Sequence, residues 1–136
     1  MNKKLLIYAC TFVLFIWFIN AIAHFLYWYS AMRWFDIPMH ILGGMFLALL
    51  AGALFFNSLI SLSRLQIIVT TLLFVLVVGL GWEAFEYVVQ AFIKDSSQVV
   101  NIPDSIKDIL MDIVGGVIAS LFVLRSIKRY NKAHES

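Results

Sequence analysis

The chain has 136 residues, enough for one domain, and is 62% hydrophobic and 15% aromatic but only 13% charged, with a mean hydropathy of +0.93 and a net charge of +2. A soluble domain is roughly half apolar and about a quarter charged, and a chain this short has too little interior to hide the excess. Soluble, disordered, coiled-coil and disulfide-scaffold classes are therefore excluded. The bases form no stripe with interleaved aromatics, so no nucleic-acid partner is expected. The lipid bilayer is the expected partner.

Charges divide the chain into four apolar stretches, the first three near or above the roughly 20 residues a spanning helix needs. Spans are expected at about 5–29, 38–57, 66–92 and 105–124, with 125–136 as a basic tail. The first begins with Lys3-Lys4 and contains Ala21-Ile22-Ala23, which imitates a cleaved signal. Its long, aromatic-rich uncharged run and the spans that follow favour an uncleaved anchor. Its single cysteine, Cys10, sits in an apolar run and reads as a packing residue. In the fourth, the apolar run from Ile113 to Leu124 is too short to cross. A full span must then begin near Ser105, with Asp104 as helix cap and with Asp108 and Asp112 drawn below the membrane surface. The architecture expected is an all-α bundle of four transmembrane helices.

An even number of spans leaves both termini on one side. That side carries Lys3, Lys4, Arg64, Arg125, Lys128, Arg129 and Lys132, and the other carries Arg33, Lys94 and Lys107. The excess of bases places both termini in the cytoplasm, with a plasma (inner) membrane as the expected location.

Under this topology, Asp36, Glu83, Glu86, Asp95, Asp104, Asp108 and Asp112 gather at the outer end, with His24 and His40; among the acids only Glu135 does not. Helical spacing puts Asp36 with His40, Glu83 with Glu86 and Gln90, Asn20 with His24, and Asp104 with Asp108 and Asp112 on common faces. Buried charge in a membrane is costly and normally faces a bundle interior or wet cavity. Clustered carboxylates need protons, a cation or basic partners such as Lys107 or Arg33. Oxygen-rich sets with an imidazole suit Mg²⁺, Mn²⁺ or Ca²⁺. Glu83, Glu86, Asp108 and Asp112 are the candidate metal ligands. His40 is a candidate ligand or general base, with Asp36 orienting its ring.

The second and fourth spans repeat a pattern. Asp36-Ile-Pro-Met-His40-Ile-Leu-Gly43-Gly44 aligns with Asp108-Ile-Leu-Met-Asp112-Ile-Val-Gly115-Gly116. A parallel duplication of a two-helix hairpin would leave this trace. The glycine pairs would let two helices cross closely one turn below the acids.

With Gly81-Trp82-Glu83-Ala84-Phe85-Glu86 and the segment from Asp104 to Gly116, these motifs resemble the VanZ-like superfamily and its YjdF-type predicted membrane proteins. The resemblance covers about residues 36–122. The 94–104 loop has Lys94 but lacks the arginine common in VanZ-like chains, which favours the YjdF-type branch and weakens any glycopeptide-resistance role. The resemblance implies a multi-pass membrane protein of poorly defined activity. The expected function is a VanZ-like protein whose extracytoplasmic acidic and histidine site, with Mg²⁺ or Mn²⁺ as cofactor, acts on envelope or lipid-derived material. A non-enzymatic accessory protein is the alternative. An ion or proton transporter is disfavoured because Met45–Phe56 and Leu65–Gly81 offer no ionisable path inward.

The topology has a direct check. In a Cys10→Ala background, an impermeant thiol reagent added outside should label Ser97→Cys and spare Ser136→Cys. The reverse labelling would overturn the orientation.

Overall fold

The computed structural model describes residues 1–32, 34–93 and 102–134. Arg33, Lys94, Asp95 and Glu135 of the charge pattern, and the Gln90 side chain, lie outside what is described. The order is α1 (Lys3–Phe25), a single turn α2 (Trp28–Ala31), α3 (Asp36–Leu54), a single turn α4 (Phe56–Leu59), α5 (Arg64–Ile93) and α6 (Ile102–His134). No strand occurs among the described residues. Helices α1, α3, α5 and α6 are long and apolar enough to cross a membrane. The protein is an all-α, four-helix membrane protein.

Local signals account for the helix limits. The Asn2 side chain accepts from the backbone N–H groups of Lys4 and Leu5 at 3.1 and 3.2 Å, capping α1. Ser63 and Gln66 reciprocate as a capping box at the start of α5, at 2.9 and 3.4 Å. Pro38 and Pro103 sit in the first turns of α3 and α6, where a missing N–H breaks no helical bond. Helix α1 ends at Phe25, short of the expected 29, because Tyr27 takes a left-handed conformation with φ 56° and redirects the chain. Helix α6 starts at Ile102, earlier than expected, so Asp104 lies within its first turn instead of capping it. It also continues as helix through His134, into the stretch expected as a tail.

The centre of the bundle is the pair α3–α6. Asp36 lies beside Lys107, His40 beside Asp112, and a Cβ on Gly52 would collide with Val123. Further along, Phe56 and Tyr130 rings meet edge-on at 5.2 Å, and the Asn131 side chain donates to the Ile60 carbonyl at 3.0 Å. Residue numbers rise together on both helices, so the two run parallel and in register. Their backbones nearly touch: a Cβ on Gly44 would overlap the Asp112 carbonyl, and one on Gly115 would overlap the Ile41 carbonyl. Below this crossing Gly52 faces Val123, and Ala48 and Ala51 of α3 and Ala119 and Ser120 of α6 are buried. Small residues of this kind let van der Waals contact hold helices together where lipid removes the hydrophobic drive. The buried hydroxyls of Thr71 and Ser120 bond back to carbonyls of their own helices and leave no polar demand on the core.

The other two spans run antiparallel to this pair. The Asn2 N–H donates to the Ala53 carbonyl at 2.9 Å, fixing the start of α1 beside the end of α3. On α5, Leu72 and Val75 face Gly116, and Gly79 faces Asp112. Both chain ends and the bases around them thus share one end of the bundle, and Asp36, Glu86 and Asp104 mark the other. Leu14 (66% exposed), Trp17 (67%) and Phe92 (87%) project outward, as a lipid-facing surface requires.

The crossing makes a prediction. Gly44→Ala and Gly115→Ala should each lower stability in detergent by about 2 kcal/mol or more, because the added carbon meets backbone. Gly81→Ala, whose Cβ would meet nothing within 4 Å, should be neutral by thermal unfolding.

Candidate functional site

Where α3 and α6 begin, their parallel register brings Asp36 and His40 against Asp108 and Asp112. His40 is at the centre. Its Nε2 lies 3.6 Å from Asp36 Oδ1 and 3.9 Å from Asp108 Oδ2, and its Nδ1 lies 3.4 Å from Asp112 Oδ1. The glycine crossing one turn below explains the approach, since any larger residue at 44 would push Asp112 away. Helix α5 closes the other side of Asp112, with a Cβ on Gly79 coming within 2.9 Å of its Oδ2.

Lys107 caps the cluster. Its ammonium lies 2.6 Å from Asp104 Oδ1, 3.2 Å from Asp108 Oδ1 and 3.7 Å from Asp36 Oδ2. Only the Asp104 contact is a hydrogen bond. Asp108 is 5% exposed, and its Oδ1 has no hydrogen-bond partner despite the nearby ammonium. Four aspartates face one ammonium and, when protonated, one imidazolium, so with all four carboxyls ionised the described cluster would carry two or three net negative charges. Asp108 and Asp112 are both buried, so this excess is expensive without a further cation.

One set of three ligand atoms, from Asp36, His40 and Asp108, lies within 4.8 Å of one another. Oxygen and nitrogen ligands about 2.0–2.6 Å from a hard cation are separated by up to about this distance. The Nε2 contacts to Asp36 and Asp108 are too long for hydrogen bonds and suit atoms with an ion between them. Asp108 Oδ1 is buried and makes no hydrogen bond, its one positive neighbour being the Lys107 ammonium at 3.2 Å, so its polar demand is only partly met.

The candidate residues fall into two groups. Asp36, His40, Asp108 and Asp112 are brought together. Glu83 and Glu86 lie on the α5 face that begins at Gly79, four and seven residues on, near the same mouth. Glu86 is close enough to Glu83, His40 and Asp36 for their charges to act on it, but its Oε1 accepts from Trp82 Nε1 at 3.0 Å. Glu83 Oε1 is buried without a partner. His24 is exposed and meets the Tyr29 ring in a tilted contact at 5.1 Å, and Asn20 accepts from the Tyr29 hydroxyl at 2.8 Å. Burial first, then the charges of Asp36 and Glu86, raise the Tyr29 hydroxyl above its ordinary pKa. Tyr29 is a polar neighbour of the mouth that spacing alone could not reveal, because it reaches the site through a loop. Gly79 was equally hidden, since its role is to leave room for Asp112.

The sequence matches the family described as predicted membrane protein (DUF2238) over residues 3–129. The chain belongs to this family. No curated protein and no solved structure matches it. The match takes in the first helix as well as the three that carry the acids.

Lys107 gives the test of charge balance. Lys107→Gln should destabilise the metal-free protein by roughly 1–2 kcal/mol, a value reduced from that of a fully buried pair because the lysine is one-third exposed. Unchanged thermal unfolding in chelator would show that Lys107 does not compensate these carboxylates.

Proposed function

We propose that the protein is a VanZ-like membrane protein whose acidic mouth binds Mg²⁺ or Mn²⁺ and acts on envelope or lipid-derived material. The observation that carries this reading is the buried Asp108 carboxylate. One of its oxygens makes no hydrogen bond, and a carboxylate oxygen of the same residue lies within 4.8 Å of ligand atoms of Asp36 and His40. Asp36, His40 Nε2 and Asp108 would hold the ion. Asp112, at His40 Nδ1, fixes the ring's tautomer and direction, the role that spacing alone had given to Asp36. The bound cation would supply a more acidic water and a Lewis acid at the mouth. Glu83 and Glu86 would take a proton from water or complete the ligand set with Asp108 and Asp112. No nucleophile is needed for hydrolysis by water.

The location supports a substrate that reaches the membrane surface. Exposed Phe25, Tyr27 and Trp34 surround the mouth's end of the bundle, as aromatic residues do at a headgroup layer. With both termini in the cytoplasm, this mouth opens to the extracytoplasmic side of the plasma membrane. The second reading is an accessory protein whose mouth binds a partner, with Lys107 rather than a metal as the resident cation.

Metal titration separates the two. Wild-type protein stripped by chelator should gain several degrees of thermal stability in millimolar Mn²⁺ or Mg²⁺, and Asp108→Asn and His40→Gln should lose that gain. Loss in Glu83→Gln as well would extend the ligand set to α5. A wild type indifferent to both ions would favour the accessory reading.

A further inference from the structure

A second feature lies toward the opposite end of the bundle. Between α1 and α6, with α3 as its back wall, is an apolar cavity of about 700 Å³. That volume is within the range of about 300–1,000 Å³ typical of small-molecule sites. Tyr8, Phe12 and Phe15 form one wall, Phe122 and its neighbours the other, and Met45 and Leu49 the back. The edge-on contact of Tyr8 and Phe122, at 5.9 Å, bridges the two walls. The cavity runs from Met45, just below the glycine crossing, toward the end that carries both termini.

Helical spacing shows how both walls finish. On α1, Lys4, Tyr8, Thr11 and Phe15 follow one face at intervals of four, three and four. On α6, Ile118, Phe122 and Arg125 do the same at intervals of four and three. Each apolar wall therefore ends in a base at the same level of the membrane. Lys4 and Arg125 are exposed, and neither pairs with a carboxylate among the described residues. Lys128, Arg129 and Lys132 extend this positive end. An apolar groove whose two walls end in basic residues is complementary to a lipid with a negative head and a hydrocarbon tail.

We propose that this groove binds one acyl chain of an anionic phospholipid, whose phosphate is held by Lys4 and Arg125. The site is separate from the acidic mouth and independent of any metal there. Its occupant fills the gap between α1 and α6, which touch each other far less than either touches α3. The lipid is then a resident component of the bundle that ties the first helix to the fourth.

Native mass spectrometry of the full chain in mild detergent tests this, with phosphatidylglycerol and phosphatidylcholine of identical chains in equal amounts. The wild type should retain one phosphatidylglycerol per chain, preferred by roughly tenfold as two basic contacts would give. The double variant Lys4→Gln, Arg125→Gln should lose that preference. Thr11→Trp, a bulky replacement at an exposed lining position, should lose retention of both lipids. Glycerol phosphate, which has the head without the chain, should not compete with phosphatidylglycerol on the wild type. Equal retention of the two lipids by the wild type, full retention by Thr11→Trp, or effective competition by glycerol phosphate would each overturn the proposal.

Discussion

The backbone contact between α3 and α6 is the constraint on which the rest of the structure depends. Gly44 lies against the Asp112 carbonyl and Gly115 against the Ile41 carbonyl, so neither position has room for a side chain. Two helices that cross this closely and run parallel must bring residues one turn above the crossing face to face. Those residues are His40 and Asp112, and one turn further Asp36 and Asp108. The glycines thus stabilise the bundle and set the dimensions of the acidic site in one arrangement. Ala48, Gly52, Ala119 and Ser120 continue the same small-residue seam toward the other end, so the register cannot slip without meeting bulk.

The site that results is under electrostatic strain. Asp108 and Asp112 are nearly inaccessible, and Lys107 must serve Asp36, Asp104 and Asp108 at once. A polar cluster that serves only stability is better replaced by apolar packing, and a half-satisfied one is worse than none. The bundle already has an apolar core in Leu5, Leu59, Ile67, Val75 and Val123, all buried. The acids are therefore not required to fill space. One Asp108 oxygen makes no hydrogen bond although the Lys107 ammonium lies 3.2 Å away, so the cluster's polar demand is only partly met. The two ends of the molecule contrast sharply, with acids around a shared imidazole at one and bases beside an apolar groove at the other.

Much of this architecture was legible in the sequence, because membrane physics leaves few choices. Apolar runs of the length needed to cross could only be helices, and the offset repeat of Asp36 to Gly44 in Asp108 to Gly116 already implied two equivalent parallel helices. The pairing of Asp36 with His40, and of Asp108 with Asp112, followed from four-residue spacing. Which residues meet across helices did not follow. Glu83, Glu86, Asp108 and Asp112 were the expected metal ligands, with His40 as a further ligand or general base and Asp36 orienting its ring. The register sets His40 among three aspartates, because α3 abuts α6 more closely than α5 does. The end of α1 was misjudged because Tyr27 adopts a left-handed turn that no pattern of hydrophobicity records. The groove also escaped notice, since a cavity is a property of what neighbouring helices fail to fill.

If the acidic mouth binds an ion as proposed, the glycine crossing sets the spacing of its ligands, and a variant of the crossing that alters no ligand will still weaken binding. Manganese binding to the metal-free protein can be followed by electron paramagnetic resonance in Gly44→Ala, with Gly81→Ala as the control. In samples that remain helical by circular dichroism, the account predicts at least a roughly tenfold loss of affinity in Gly44→Ala, about 1.4 kcal/mol, and none in Gly81→Ala. Equal manganese affinity in Gly44→Ala and wild type would contradict it.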